Sequence, residues 1–89
     1  MQILDYNLVL TCGACPEQYD VFDSEGKQVG YLRLRHGGFR ADYPDCGGET
    51  VYSYRFDDGW KGIFADEERE FFLTEAVKAI HNHERRQNA

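Results

Sequence analysis

The chain has 89 residues, of which 42% are apolar and 29% charged, and a formal net charge of −6. A chain this short forms one domain and buries only about 60–65% of its unfolded surface, which leaves one modest core layer and no deep enclosed active site. The acidic balance argues against general nucleic-acid binding, no stretch is long and apolar enough to span a membrane, and no charged region leads into an apolar one at the N-terminus, so no signal peptide is expected. Three cysteines, an odd number, fit a reducing compartment better than a disulfide framework, and the expected location is cytoplasmic.

Ile3 to Thr11 is a β-branched and leucine-rich run that reads as a first strand. A loop over Cys12 to Glu17 leads into a second strand, Tyr19 to Asp23, followed by a turn at Ser24-Glu25-Gly26-Lys27. An even-numbered loop there buries Tyr19 and Val21 and turns Phe22 and Val29 outward with Tyr31, while an odd one takes Phe22 inside. Gln28 to His36, Phe39 to Pro44 and Thr50 to Asp57 complete the sheet.

The middle of the sheet carries two Gly-Gly pairs, Gly37-Gly38 and Gly47-Gly48. Glycine accepts the positive φ of a two-residue hairpin turn, so the expectation is that His36 faces Phe39 and Cys46 faces Glu49. Leu34 then meets Ala41, Leu32 meets Tyr43, and across the second hairpin Tyr43, Ala41 and Phe39 meet Tyr52, Tyr54 and Phe56, all on one apolar face. The opposite face carries Arg33 against Asp42 and Ser53, and Arg35 against Arg40 and Arg55. Pro44 falls between Tyr31 and Val51, where its missing N–H should fray the pairing. A slip of one residue would invert every side chain.

Asp57 to Gly62 is a turn-rich crossover, with Trp60 between glycines expected to cap the open end of the core. Asp66 is the expected N-cap, and Glu67 and Glu68 suit the first turn of a helix. Phe72, Leu73, Ala76, Val77 and Ile80 form an apolar stripe that suits the inner face of the sheet. The expected fold is therefore α+β: a mainly antiparallel four- to five-stranded meander over residues 1–57, one C-terminal helix over 64–83 packed on one face, and a frayed tail over 84–89.

Cys12-Gly13-Ala14-Cys15 has the C-x-x-C spacing that can hold two corners of a zinc tetrahedron, for which Cys46 and one of His36, His81 or His83 are the candidate further ligands, but the second cysteine pair of a zinc site is missing. His81 and His83, two apart on a helix, cannot both point at one metal. The same four residues resemble the active-site motif of thioredoxin-like proteins, yet Pro16 and a β-like Tyr19 to Asp23 stand where that family has the helix that lowers the thiol pKa. Arg35 to Tyr43 faintly resembles the RNA-binding strand of RNA-recognition-motif domains. Its Phe39 and Tyr43 are spaced four apart rather than three and face inward, and the chain has one helix where that fold has two. As a whole the chain resembles a small bacterial or phage-encoded protein, and no family's functional residues carry over to it.

No phosphate-binding glycine loop, nucleophile elbow or acid–base pair is present, so no enzyme is expected. His36 shares the inward parity of Leu34 and reads as a partly buried, hydrogen-bonded histidine. The charge is unevenly spread: residues 1–26 balance to −5, residues 27–55 to +2 and residues 56–89 to −3. The arginine row lies in the one positive segment. The expected function is an interaction module whose outer face, built from Tyr31, Arg33, Arg35, Arg40 and Arg55, binds an acidic protein segment, a phosphate-bearing ligand or a nucleic-acid backbone without a cofactor. In a competing reading the face is structural or self-associating, as a homodimer, with the row neutralised by Asp20, Asp42 or the acidic helix of a second copy. The remaining alternative is a structural zinc domain through Cys12, Cys15 and Cys46.

Overall fold

The computed structural model describes residues 1–12 and 16–87. It is α+β: strands β1 (Gln2–Ile3), β2 (Tyr6–Cys12), β3 (Glu17–Phe22), β4 (Gln28–Arg35), β5 (Gly38–Tyr43) and β6 (Glu49–Arg55), followed by helix α1 (Asp66–Gln87). The strands lie in chain order in one antiparallel sheet. There are six strands rather than four or five because the first apolar run is broken. Leu4 adopts φ 56°, and Ile3 folds back to pair with Tyr6.

Alternation along the strands buries Leu8, Tyr19, Val21, Leu32, Leu34, Phe39 and Ala41 on one face, and α1 lays Phe72, Leu73, Ala76, Val77 and Ile80 across it. At Gly30 the helix leaves no room for a side chain, since a Cβ there would run into Ile80 Cδ1 and stand 3.2 Å from Val21 Cβ. Val29 is fully buried although simple alternation points it outward. The pairing of β3 with β4 shifts between Val21 and Phe22, so an extra residue resets the alternation, and Phe22 is half-buried.

The helix starts at Asp66, inside the expected span of 64–83, and its N-cap is Ala65 rather than Asp66. The Ala65 carbonyl accepts from Arg69 N–H at 3.1 Å, and Glu68 reaches back to accept the Ala65 N–H at 2.8 Å, which is half of a capping box. It also ends later, at Gln87 instead of near His83. Tyr6 OH donates to Glu84 at 2.8 Å and is 3.0 Å from His81 Nδ1, which holds the last turns on the sheet. Burial and the neighbouring Glu84 carboxylate push the Tyr6 phenol well above its ordinary pKa.

Both central hairpins are offset from the expected register. The β4–β5 turn is His36-Gly37, both with positive φ (52° and 76°), so Arg35 closes on Gly38, Leu34 faces Phe39, Leu32 faces Ala41 and Arg33 faces Arg40. The β5–β6 connection is a longer loop over 44–48, so Tyr43 pairs with Glu49, Ala41 with Tyr52 and Phe39 with Tyr54, with a shift between Ala41 and Asp42. Pro44 lies in that loop and never enters the ladder. The first offset displaces the pairing by two, which preserves the strand faces, and the second does so as far as Ala41, beyond which the shift adds one more residue.

The crossover from β6 to α1 is anchored by a buried carboxylate. Glu17, 4% exposed, accepts from Tyr19 OH (2.5 Å), the Phe64 N–H (3.0 Å), Arg69 Nε (2.8 Å) and Arg69 Nη2 (3.3 Å). Burial pushes this carboxyl up, but the hydrogen bonds from Arg69, Tyr19 and Phe64 outweigh it and hold the group below the ordinary glutamate range. A depressed folded pKa means that the stabilisation is fully present above the unfolded value of about 4.3 and disappears as the pH falls through the folded value. Glu17→Gln should therefore cost about 2–3 kcal/mol at pH 7, below the fully buried range because the Arg69 side chain is 25% exposed. The gap to the native chain, followed by urea unfolding, should narrow as the pH drops below about 4.3. A gap that stays constant down to pH 2 would contradict this account.

Candidate functional site

The face of the sheet away from α1 has an open hollow of about 400 Å³ lined by Arg33, Arg35, His36, Gly38, Arg40 and Arg55. Its geometry follows from the register. Arg33 and Arg40 stand directly opposite one another on β4 and β5, while Arg35 and Arg55 flank Gly38 from either side. Gly38 makes the floor. A Cβ there would lie 3.3 Å from Arg55 Nη2, so the missing side chain is what lets the Arg55 guanidinium lie over the backbone and donate from Nη1 to the His36 carbonyl at 3.3 Å.

The four guanidiniums are not equivalent. Arg40 Nε is 3.2 Å from Asp42, a carboxylate only 2% exposed that also accepts from Thr50 Oγ1 at 2.9 Å. Among the described residues, Arg33, Arg35 and Arg55 make no ion pair with a carboxylate. Like charges opposite one another on a sheet cost on the order of 0.2–1 kcal/mol per pair. One charge-assisted hydrogen bond to an anion contributes about 1.5–3 kcal/mol, so a single bound anion outweighs that repulsion.

The rim is held by backbone contacts. Gly37 N–H donates to the Lys61 carbonyl at 2.8 Å, the Phe56 N–H donates to the Gly37 carbonyl at 2.7 Å, and the Lys61 N–H donates to the Asp58 carbonyl at 3.2 Å. The β4–β5 turn is thus joined to the segment carrying Trp60. Trp60 is 86% exposed and does not cap the core; Phe64 and Phe72, ring centroids 5.5 Å apart, fill that end instead. The indole meets the His36 ring edge-on at 6.5 Å. His36 is exposed in the turn rather than inward-facing and partly buried, because it occupies the first turn position and not the end of β4.

Of the expected face, Arg33, Arg35, Arg40 and Arg55 converge, but Tyr31 does not line the hollow. It is 9% exposed, and its hydroxyl donates to Gln18 Oε1 at 3.1 Å. His36, Gly38 and Trp60 are the residues that periodicity missed. A histidine-glycine turn, in place of a glycine-glycine one, is the signal that would have found the first two.

The expected zinc ligands are dispersed. Cys12 ends β2, half-buried; Cys46 is exposed in the β5–β6 loop; Cys15 lies outside the described residues. His81 faces Tyr6, and His83 is buried against Tyr43 with ring centroids 4.7 Å apart. Among the described residues, no group of three or more His, Cys, Asp or Glu side chains is placed to hold a metal ion. No helix among them is long and apolar enough to cross a membrane. No protein-family model, curated protein or solved structure matches this chain.

Gly37 has φ 76°, and a Cβ there would strike the Asp58 carbonyl oxygen and stand 3.0 Å from Gly59 Cα. Gly26 has a similar φ of 84° with nothing within 4 Å. Gly37→Ala should therefore lower the melting temperature more than Gly26→Ala. The φ penalty common to both is about 1–2 kcal/mol, and each further kcal/mol lowers the melting temperature by roughly 4–8 °C in a domain of this size. Equal shifts for the two variants would mean that turn and loop separate without cost.

Proposed function

We propose that the chain is a non-enzymatic, cytoplasmic interaction module that takes an anionic group of a ligand or partner into the hollow of Arg33, Arg35, Arg40 and Arg55. One observation carries this reading: three of those guanidiniums line a shared opening and, among the described residues, no carboxylate forms an ion pair with them. Arginine suits the task because its planar fork donates two parallel hydrogen bonds to a phosphate or carboxylate. Gly38 removes the side chain that would otherwise fill the floor. A phosphate-bearing ligand and an acidic protein segment both meet the requirement. Self-association is the competing reading, favoured by the exposed acidic start of α1, where the Asp66 side chain is 95% exposed and a second copy could present it to the hollow.

The arginines to test are Arg33 and Arg35, since reversing Arg40 would leave Asp42 buried beside a like charge. Arg33→Glu/Arg35→Glu should weaken binding of inorganic phosphate, followed by NMR at the arginine side chains, by more than about tenfold, the effect of losing one charge-assisted hydrogen bond. The melting temperature should shift by only a few degrees, as for exposed substitutions. Unchanged binding would sink the proposal. Light scattering on the same variant separates the readings, because conversion of a dimer to a monomer would assign the face to a second copy.

A further inference from the structure

The composition of the rim narrows the ligand. The geometry points to a nucleoside phosphate, with its phosphate in the arginine hollow and its base laid on Trp60; this rests on the anion-binding reading above. An acidic peptide requires only the guanidiniums, whereas a nucleotide requires both the guanidiniums and a flat aromatic surface beside them. Trp60 is such a surface: at 86% exposed, its indole offers apolar area that the core does not use.

Its position is also fixed relative to the charge. His36 lines the hollow and meets the indole at 6.5 Å, so the aromatic pair borders the arginines directly. The Trp60 backbone N–H donates to Asp58 Oδ1 at 2.9 Å, and the flanking Lys61 carbonyl accepts from the Gly37 N–H in the hairpin turn. Asp58, the acid closest in sequence to this rim, thereby has one carboxylate oxygen engaged in its own loop. Lys61 does not add charge to the hollow, since its Nζ is 2.7 Å from Glu68 and 5.0 Å from the centre of the Phe56 ring. Cationic groups that hold phosphate beside an aromatic side chain that stacks a base are the two elements of nucleotide recognition without hydrogen-bond readout. A volume of about 400 Å³ suits one nucleotide. A net charge of −6 opposes a long polyanion, so the occupant is a free nucleotide rather than a strand.

Trp60 is the sole tryptophan, so its fluorescence reports on this site alone. The full chain is titrated with adenosine monophosphate, with ribose 5-phosphate, which has the phosphate but no base, and with a thymidylate decamer. Adenosine monophosphate should quench Trp60 and bind about tenfold more tightly than ribose 5-phosphate, the advantage expected of one stacked base. Trp60→Ala, read by NMR, should erase that advantage and leave ribose 5-phosphate binding unchanged. Arg33→Glu/Arg35→Glu should abolish binding of both. Equal affinities with no quenching would overturn the nucleoside assignment and leave the anion site standing. Failure of both small phosphates to bind would overturn the anion site as well. Binding of the decamer alone would overturn the free-nucleotide assignment in favour of a strand reader.

Discussion

The structure turns on the carboxylate of Glu17. An ionised group this deeply buried is tolerated only when its lone pairs are satisfied, and here four donor contacts from three parts of the chain converge on it. Tyr19 belongs to the same strand, Phe64 to the crossover and Arg69 to the first turns of α1. One charge therefore fixes where the crossover enters the core and where the helix starts. The neighbouring Glu17 N–H donates to the Gly62 carbonyl at 2.8 Å, which extends the same anchorage toward the loop that carries Trp60. Positioning at the outer hollow thus depends partly on a polar contact made inside the molecule.

The two faces of the sheet have opposite electrostatic economies. Inside, an acid is matched by an arginine and further donors. Outside, arginine side chains are gathered and, among the described residues, Asp42 alone forms an ion pair with them, although acids outnumber bases in the chain, 16 to 10. The surplus of negative charge does not reach the hollow because it is placed elsewhere, notably in the first turn of α1 on the other side of the sheet. There Asp66, Glu67 and Glu68 complement the helix dipole. A protein with a negative total can therefore keep a cationic opening.

Periodicity in the sequence is enough for the fold class, the buried faces and the helix stripe, because each depends on a repeat of two or of three and four residues. It is blind to register slips of two, which preserve every face. That is why the turn arithmetic sets Arg35 opposite Arg40, whose partner in the sheet is Arg33. The bulge that buries Val29 was equally hidden, since one extra residue in a ladder leaves no mark on composition. Glu17 falls in a loop by sequence, yet it shares the parity of Tyr19, and an acid two residues before a buried tyrosine hints at an inward carboxylate. Trp60 between its glycines suits the open end of the core by sequence, but Phe64 and Phe72 fill that volume.

The strict chain order of the strands has a kinetic meaning. Every ladder in the sheet joins sequence neighbours across a short connection, so the loop-closure entropy for each pairing is small. Such a sheet can grow hairpin by hairpin in the manner of low-contact-order domains, although its content is mainly β. The one long step is the seating of α1, whose Arg69 must find Glu17 across 52 residues. Until it does, the meander has one dry face waiting for its cover.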